Sequence, residues 1–268
     1  MTLDYFLYHK LNTEKNLPQE DYYIENDNIF IVADGIRHDP NEKGDYPTPS
    51  ESYEIAVIAC NTCLSHLQNS DRKTNAIKEA FAIATKKIVE YQKNSNLYKN
   101  RETNAYTIGA TRIIVGIISP GKITYGLIDD CFFSIFSEDL IDHPMLIPNV
   151  ENTSKYFDAH YDWSLPEHRK YFRKELRNNT VEVDKKLYGF GSLDGRSGYE
   201  RFAQYGEESL KDGDLVCIYS AGFIKPLLDT KLAGKLRNEE FSKNVVDAYC
   251  KEKGFHREKT AYFIKYNE

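Results

Sequence analysis

The stretch that most constrains this chain is Ile29-Phe30-Ile31-Val32-Ala33-Asp34-Gly35. Its first four residues are large and apolar and the fifth is Ala, so it reads as a strand buried on both faces. It ends in a carboxylate and a glycine. A carboxylate closing a buried strand is costly unless it is paired, hydrogen-bonded or bound to a metal. Gly35 lets the backbone approach a ligand or take a positive φ. The plainer reading is a strand that stops in an Asp-Gly turn.

A second short strand, Tyr22-Tyr23-Ile24, precedes it, and Glu25-Asn26-Asp27-Asn28 supplies a turn between the two. The expected hairpin of 21–24 and 29–34 brings Asp21 beside Asp34. Two carboxylates meeting at one hairpin end suggest a divalent cation held by oxygen ligands.

The remaining elements follow from periodicity. Residues 3–9 read as a first strand and 12–20 as a polar loop. After the polar loop 37–49, Ser50 is a helix N-cap, and Ile55, Ile58, Ala59, Thr62, Cys63 and His66 share one face of the helix it opens. A second helix is expected over about 73–93. Residues 107–118 and 122–136 read as two long strands joined at Ser119-Pro120-Gly121, the second interrupted by Asp129-Asp130. Residues 138–163 read as a surface excursion. The stretch 165–178 reads as a basic helix, either a solvated face or a positive flap over an anionic substrate. A Gly-rich passage over 188–195 lacks the strand–helix context of a nucleotide loop. A turn at 210–214 leads into the strand 215–219, which stops at Ser220-Ala221-Gly222. A helix over 236–253 and a strand over 259–266 close the chain. With no internal repeat, low-complexity tract or linker, residues 1–268 read as one domain of α+β class.

Composition excludes several functions. A formal charge of −6 over 268 residues argues against a nucleic-acid binder. No run is long and apolar enough for a membrane helix, and the N-terminal MTLDYFLYHK lacks the pattern of a signal peptide. The five cysteines include Cys60 and Cys63 in a CxxC, without a second pair at zinc-finger spacing. They read as helix-face core residues, with a redox or metal role as the other reading, and the thiols read as reduced in a cytoplasmic protein.

Taken in order, these motifs resemble the metal-dependent protein phosphatases of the protein phosphatase 2C family, along the whole chain. Gln19-Glu20-Asp21 resembles its first acidic motif and Val32-Ala33-Asp34-Gly35 its most diagnostic one. Ile108-Gly109-Ala110-Thr111 is similar to the start of its next strand. Asp129-Asp130-Cys131 stands where the family has Gly-Asp-Ser, and Lys211-Asp212-Gly213-Asp214 with Ser220-Ala221-Gly222 resembles its "PGD…SDG" region. The resemblance implies a four-layer α-β-β-α sandwich of two antiparallel sheets flanked by helices. It also implies two or three Mn²⁺ or Mg²⁺ ions, with Asp34 bridging, Gly35 giving a carbonyl, Asp21 holding the second ion and Asp130 the third. A water made nucleophilic by these ions would hydrolyse a phosphoserine, phosphothreonine or small phosphoester. The implied partners are a phosphorylated protein and a cognate kinase.

The chain also departs from the pattern. Ala221 replaces the Asp of "SDG", and Arg257-Glu258 stands at the closing "DN", where Glu258 reaches a metal only if the register slips by one. Lys15 and Asn16 stand near the place of the basic phosphate-binding residue. Arg37-His38 replaces the usual Gly-Gly, and either could orient phosphate or protonate the leaving group; a solvated loop pair is the other reading. Ala221 leaves three explanations open: a pseudophosphatase that binds a phosphorylated partner or ligand, an inactivated variant of an active enzyme, or compensation by Glu258 or Asp130.

Overall fold

Residues Ile29 to Ala33 are all fully buried, and they alternate between two different cores. Ile29, Ile31 and Ala33 pack into one and Phe30 and Val32 into the other, which is why the run shows no polar alternation. The computed structural model describes residues 1–12, 19–36, 50–95, 108–138, 148–228 and 230–268. Arg37, His38, Lys15 and Asn16 lie outside the described residues.

The order begins with β1 (Thr2–Lys10), β2 (Asp21–Asn26), β3 (Ile29–Gly35), α1 (Glu51–Gln68) and α2 (Thr74–Asn94). It continues with β4 (Thr111–Ser119), β5 (Lys122–Ile128), β6 (Phe132–Phe136), α3 (Pro148–His160) and α4 (Pro166–Tyr171), followed by a π-helical turn, Phe172–Leu176. Then come β7 (Val181–Val183), β8 (Lys186–Tyr188), β9 (Ala203–Ser209) and β10 (Leu215–Tyr219). Last are α5 (Ile224–Leu228), α6 (Thr230–Asn238), α7 (Lys243–Glu252) and β11 (Lys259–Asn267).

Two antiparallel sheets carry the fold, one ordered β2-β3-β4-β5-β9 and the other β1-β11-β10-β6. Phe30, Val32 and Ile114 of the first meet Val216, Ile218, Tyr262 and Ile264 of the second. The outer face of the first sheet is covered by α1 and α2 through Ala59, Cys63, Ile77 and Phe81. The outer face of the second is covered by α5, α6 and α7 through Leu227, Leu236 and Tyr249. The result is the expected four-layer α-β-β-α sandwich. The Ser50 hydroxyl accepts from the Tyr53 N–H at 3.1 Å, capping α1 as its sequence position predicts. Cys60 and Cys63 are core residues of α1, and none of the five cysteines is in a disulfide. Among the described residues no helix is long and apolar enough to cross a membrane.

Several expectations are corrected. The run 122–136 is two strands in different sheets: β5 pairs with β4 and β9, whereas β6 pairs with β10. The chain crosses between sheets at Asp129, whose φ is 64°. The helix expected over 236–253 is α6 and α7, with a break between Asn238 and Lys243. The excursion 138–163 contains α3, and the basic stretch 165–178 is a short helix followed by a π-helical turn. Strand β9 was not anticipated, because AQYGEES has no apolar alternation and lies at a sheet edge.

Candidate active site

In the β2–β3 ladder Asp21 lies directly opposite Asp34, a placement that separates Cα atoms by about 4.5–5.5 Å. The two carboxylates the hairpin was expected to join therefore share one end of the first sheet. Strands of the second sheet end there too. The hydroxyls of Ser220, just after β10, and Thr260, in β11, donate to Asp21 Oδ2 at 2.8 and 2.7 Å. The backbone N–H of Ala221 donates to Asp34 Oδ2 at 3.3 Å. Glu258 accepts from the N–H of Glu20 at 3.0 and 3.1 Å and from that of Asp21 at 3.1 Å. Glycine is required at two points. A Cβ on Gly35 would lie 2.7 Å from the Glu20 carbonyl oxygen, and one on Gly222 would lie 2.1 Å from that of Glu258.

Burial, then Glu258, pushes the Asp21 carboxyl upward, against the Thr260 and Ser220 hydrogen bonds. Burial, then Asp21 and Asp130, pushes Asp34 well above the ordinary range. Glu258 is also raised, by burial and by Asp34, against the two backbone donors. A cluster of acids that suppress one another's ionisation is short of positive charge.

No protein-family model and no curated protein matches this sequence. Solved structures do. The serine/threonine phosphatase PstP/Ppp of Mycobacterium tuberculosis superposes with a TM-score of 0.66 at 11% identity, covering 100% of each chain. The catalytic domain of PstP in complex with two manganese ions gives 0.64 at 11% identity, over 99% of both chains. Stp1 of Staphylococcus aureus gives 0.66 at 10% identity, over 100% of this chain and 96% of that one. This chain has the protein phosphatase 2C fold.

Within that fold, one functional-site residue escaped the sequence reading. Arg112 lies opposite Asp34 in the β3–β4 ladder. Its Nε is 2.7 Å from Asp129 Oδ2 and its Nη1 2.8 Å from Asp130 Oδ2. Its guanidinium also lies 5.6 Å from the Phe190 ring centre. The signal was present as the one charge inside the apolar run Thr107 to Ile118. Asp130, expected to serve a third ion, has its negative charge met by Arg112, although its Oδ1 is buried without a hydrogen-bond partner.

The residues fit a hard cation at one corner of this site. Asp21 and Asp34, opposite each other in the ladder, are oxygen donors whose ionisation burial and neighbouring acids oppose. Among the described residues no three His, Cys, Asp or Glu side chains are grouped to hold a metal ion. A Mg²⁺-type ion is ordinarily held by one or two carboxylates and several waters, so two carboxylates are of the right kind and number. At Ala221 an N–H stands in place of an oxygen ligand. Glu258 is placed at the centre with both oxygens turned to backbone N–H groups.

Proposed function

We propose that this chain is a Mn²⁺- or Mg²⁺-dependent phosphatase acting on phosphoserine, phosphothreonine or a related phosphomonoester. The observation that carries this reading is the register that sets Asp21 opposite Asp34, with Ser220, Thr260 and Glu258 converging from the second sheet. The likeness to serine/threonine phosphatases over the full chain supports it, including one determined with two manganese ions.

When bound, the cation supplies charge for the phosphoryl oxygens and lowers the pKa of the attacking water. The chain's own groups do the rest. Two hydroxyl donors hold the Asp21 carboxylate in one orientation, so it needs no reorganisation as charge develops. Asp34, half-buried at the end of β3, is the carboxylate that would hold the cation between the chain and the phosphoester. Glu258 ties the start of β11 to the start of β2, holding the two sheets in register at the site. Arg37 and His38 follow β3 in sequence and are assigned to phosphate orientation and leaving-group protonation. The partners are a phosphorylated protein or small phosphoester and a cognate kinase, and we place the protein in the cytoplasm.

Two observations favour a second reading, a pseudophosphatase that binds a phosphorylated partner without turnover. Ala221 gives Asp34 an N–H instead of adding a carboxylate, and Arg112 supplies a resident cation at Asp129 and Asp130. Hydrolysis of an aryl phosphate in Mn²⁺ separates the readings, with the natural chain compared with Asp34→Asn and Ala221→Asp. Turnover by the natural chain that is lost in Asp34→Asn supports the phosphatase. Turnover only in Ala221→Asp supports the pseudophosphatase, and turnover in none of the three sinks the catalytic reading.

A further inference from the structure

The basic stretch after residue 165 contributes to a cavity that the acid centre does not use. The π-helical turn ends at Arg177, and beside it opens a cavity of about 590 Å³. Its lining carries four cations, Lys174, Arg177, Arg196 and Arg201, and one acid, Glu200. Lys174 and Arg201 are exposed, whereas Arg177 is 2% exposed.

Arg177 is an unusual core residue because its ion pair with Asp194 is a long one. Its Nη1 donates to the Ile108 carbonyl at 2.8 Å, and its Nε is buried without a hydrogen-bond partner. Asp194 Oδ2 lies 4.0 Å from Nη1. That oxygen already accepts from Arg196 Nε at 2.9 Å and from Arg196 Nη2 at 2.6 Å. The other oxygen of Asp194 accepts from the Asn178 amide at 3.1 Å and the Arg196 N–H at 2.9 Å. The hydrogen bonds accepted by Asp194 thus come from Arg196 and Asn178, while Arg177 donates to the neutral Ile108 carbonyl.

A guanidinium stays protonated in proteins, so this burial leaves a fixed positive charge with an unused donor. Such a group is stabilised by an anion that reaches its free edge. The backbone around it is held in place. Asn178 donates its N–H to the Phe190 carbonyl at 2.7 Å, and its side chain accepts the Ser192 N–H at 2.8 Å and donates to the Ser192 carbonyl at 2.9 Å. The site is thus formed before any ligand arrives, with a fixed cation at its base and two long cationic side chains at its rim.

We propose that this cavity is an anion subsite for a phosphoryl group, with Arg177 as its buried anchor and Lys174 and Arg201 as its rim. A phosphoryl group offers several oxygens to donors that approach from different sides, which a monatomic anion does not. The subsite shares no lining residue with the acid centre and does not depend on that centre turning over substrate.

Calorimetric titration of the whole chain with inorganic phosphate in EDTA tests the assignment. The exposed pair Lys174→Ala/Arg201→Ala is the main variant, because Arg177 itself is core. The expected result is saturable binding by the natural chain and by Asp34→Asn. The rim variant should bind at least roughly tenfold more weakly, the effect of losing charged hydrogen bonds, with its melting temperature kept. No binding by the natural chain, or equal binding by the rim variant, overturns the subsite. Binding strengthened in Asp34→Asn also overturns it, because removing a negative charge would favour phosphate only if the phosphate sat at the acid centre. A doubly phosphorylated peptide distinguishes the source of the anion. Binding roughly tenfold or more tighter than inorganic phosphate, with the gain lost in the rim variant, assigns a phosphate carried by a protein. Equal binding of peptide and inorganic phosphate assigns a free anion.

Discussion

At Ala221 the chain offers Asp34 a backbone N–H at 3.3 Å, and no side-chain oxygen accompanies it. Adding one gives the centre a further oxygen donor. Ala221→Asp is expected to tighten Mn²⁺ binding by roughly 10–100-fold, read by titration calorimetry; unchanged affinity would mean that the new carboxylate does not reach the cation. Arg112 makes the opposite case. It answers both Asp129 and Asp130, so Arg112→Ala leaves two buried carboxylates uncompensated. Loss of about 3–5 kcal/mol is expected, measured by urea unfolding. Arg112→Lys should recover only part of it, because one ammonium cannot fork to both acids. A loss below about 1 kcal/mol in Arg112→Ala would show the pair to be solvent-screened.

At the scale of elements, the site is a product of strand ends. The turn after β10 passes so close to the start of β11 that a Cβ on Gly222 would meet the Glu258 carbonyl oxygen at 2.1 Å and the Lys259 Cβ at 2.8 Å. Gly222→Ala is expected to cost about 1–3 kcal/mol by overcrowding and to weaken cation binding by displacing Glu258. Full stability in that variant would show that the turn can move aside. The same elements show what local sequence reveals. β3, α1 and α2 were legible because their apolar residues repeat at a strand or helix period. The break at Asp129 was not, because apolar residues on both sides of it are buried, though in different sheets. β9 was missed because its exposed end, Glu207 to Ser209, is polar and its pairing comes from β5. The division of 236–253 was marked by Ser242, the N-cap residue of α7, but the apolar residues on both sides, Leu236 and Val246, read as one continuous helix.

For the whole molecule, the acid centre links stability to pH. Asp21 is pushed from 3.8 to about 8 and Glu258 from 4.5 to about 7, burial being the main cause for both. Over that interval the folded chain keeps protons that the unfolded chain releases. This contribution is therefore full below the unfolded values and is lost as the pH rises toward neutrality and beyond. In EDTA the melting temperature should fall between about pH 5 and about pH 8. The fall should be smaller in Asp21→Asn, and saturating Mg²⁺ should flatten it by taking the place of the protons. A melting temperature that is flat or rises over this range without metal would contradict the charge shortage at the centre.

The sequence by itself determined the doubly buried strand, the carboxylate that closes it and the order of elements from β1 to β4. These depend on periodicity and turn chemistry, which act between near neighbours. The hairpin was short enough for its register, Asp21 against Asp34, to be read as well. Only the tertiary structure decided which charges are answered. Thr260 reaches Asp21 across 239 positions of sequence, Arg112 meets Asp129 and Asp130, and Arg177 is buried beside an Asp194 already taken by Arg196. Whether a buried charge is compensated depends on distance through space and on the water excluded around it, and neither is written in the spacing of residues along the chain.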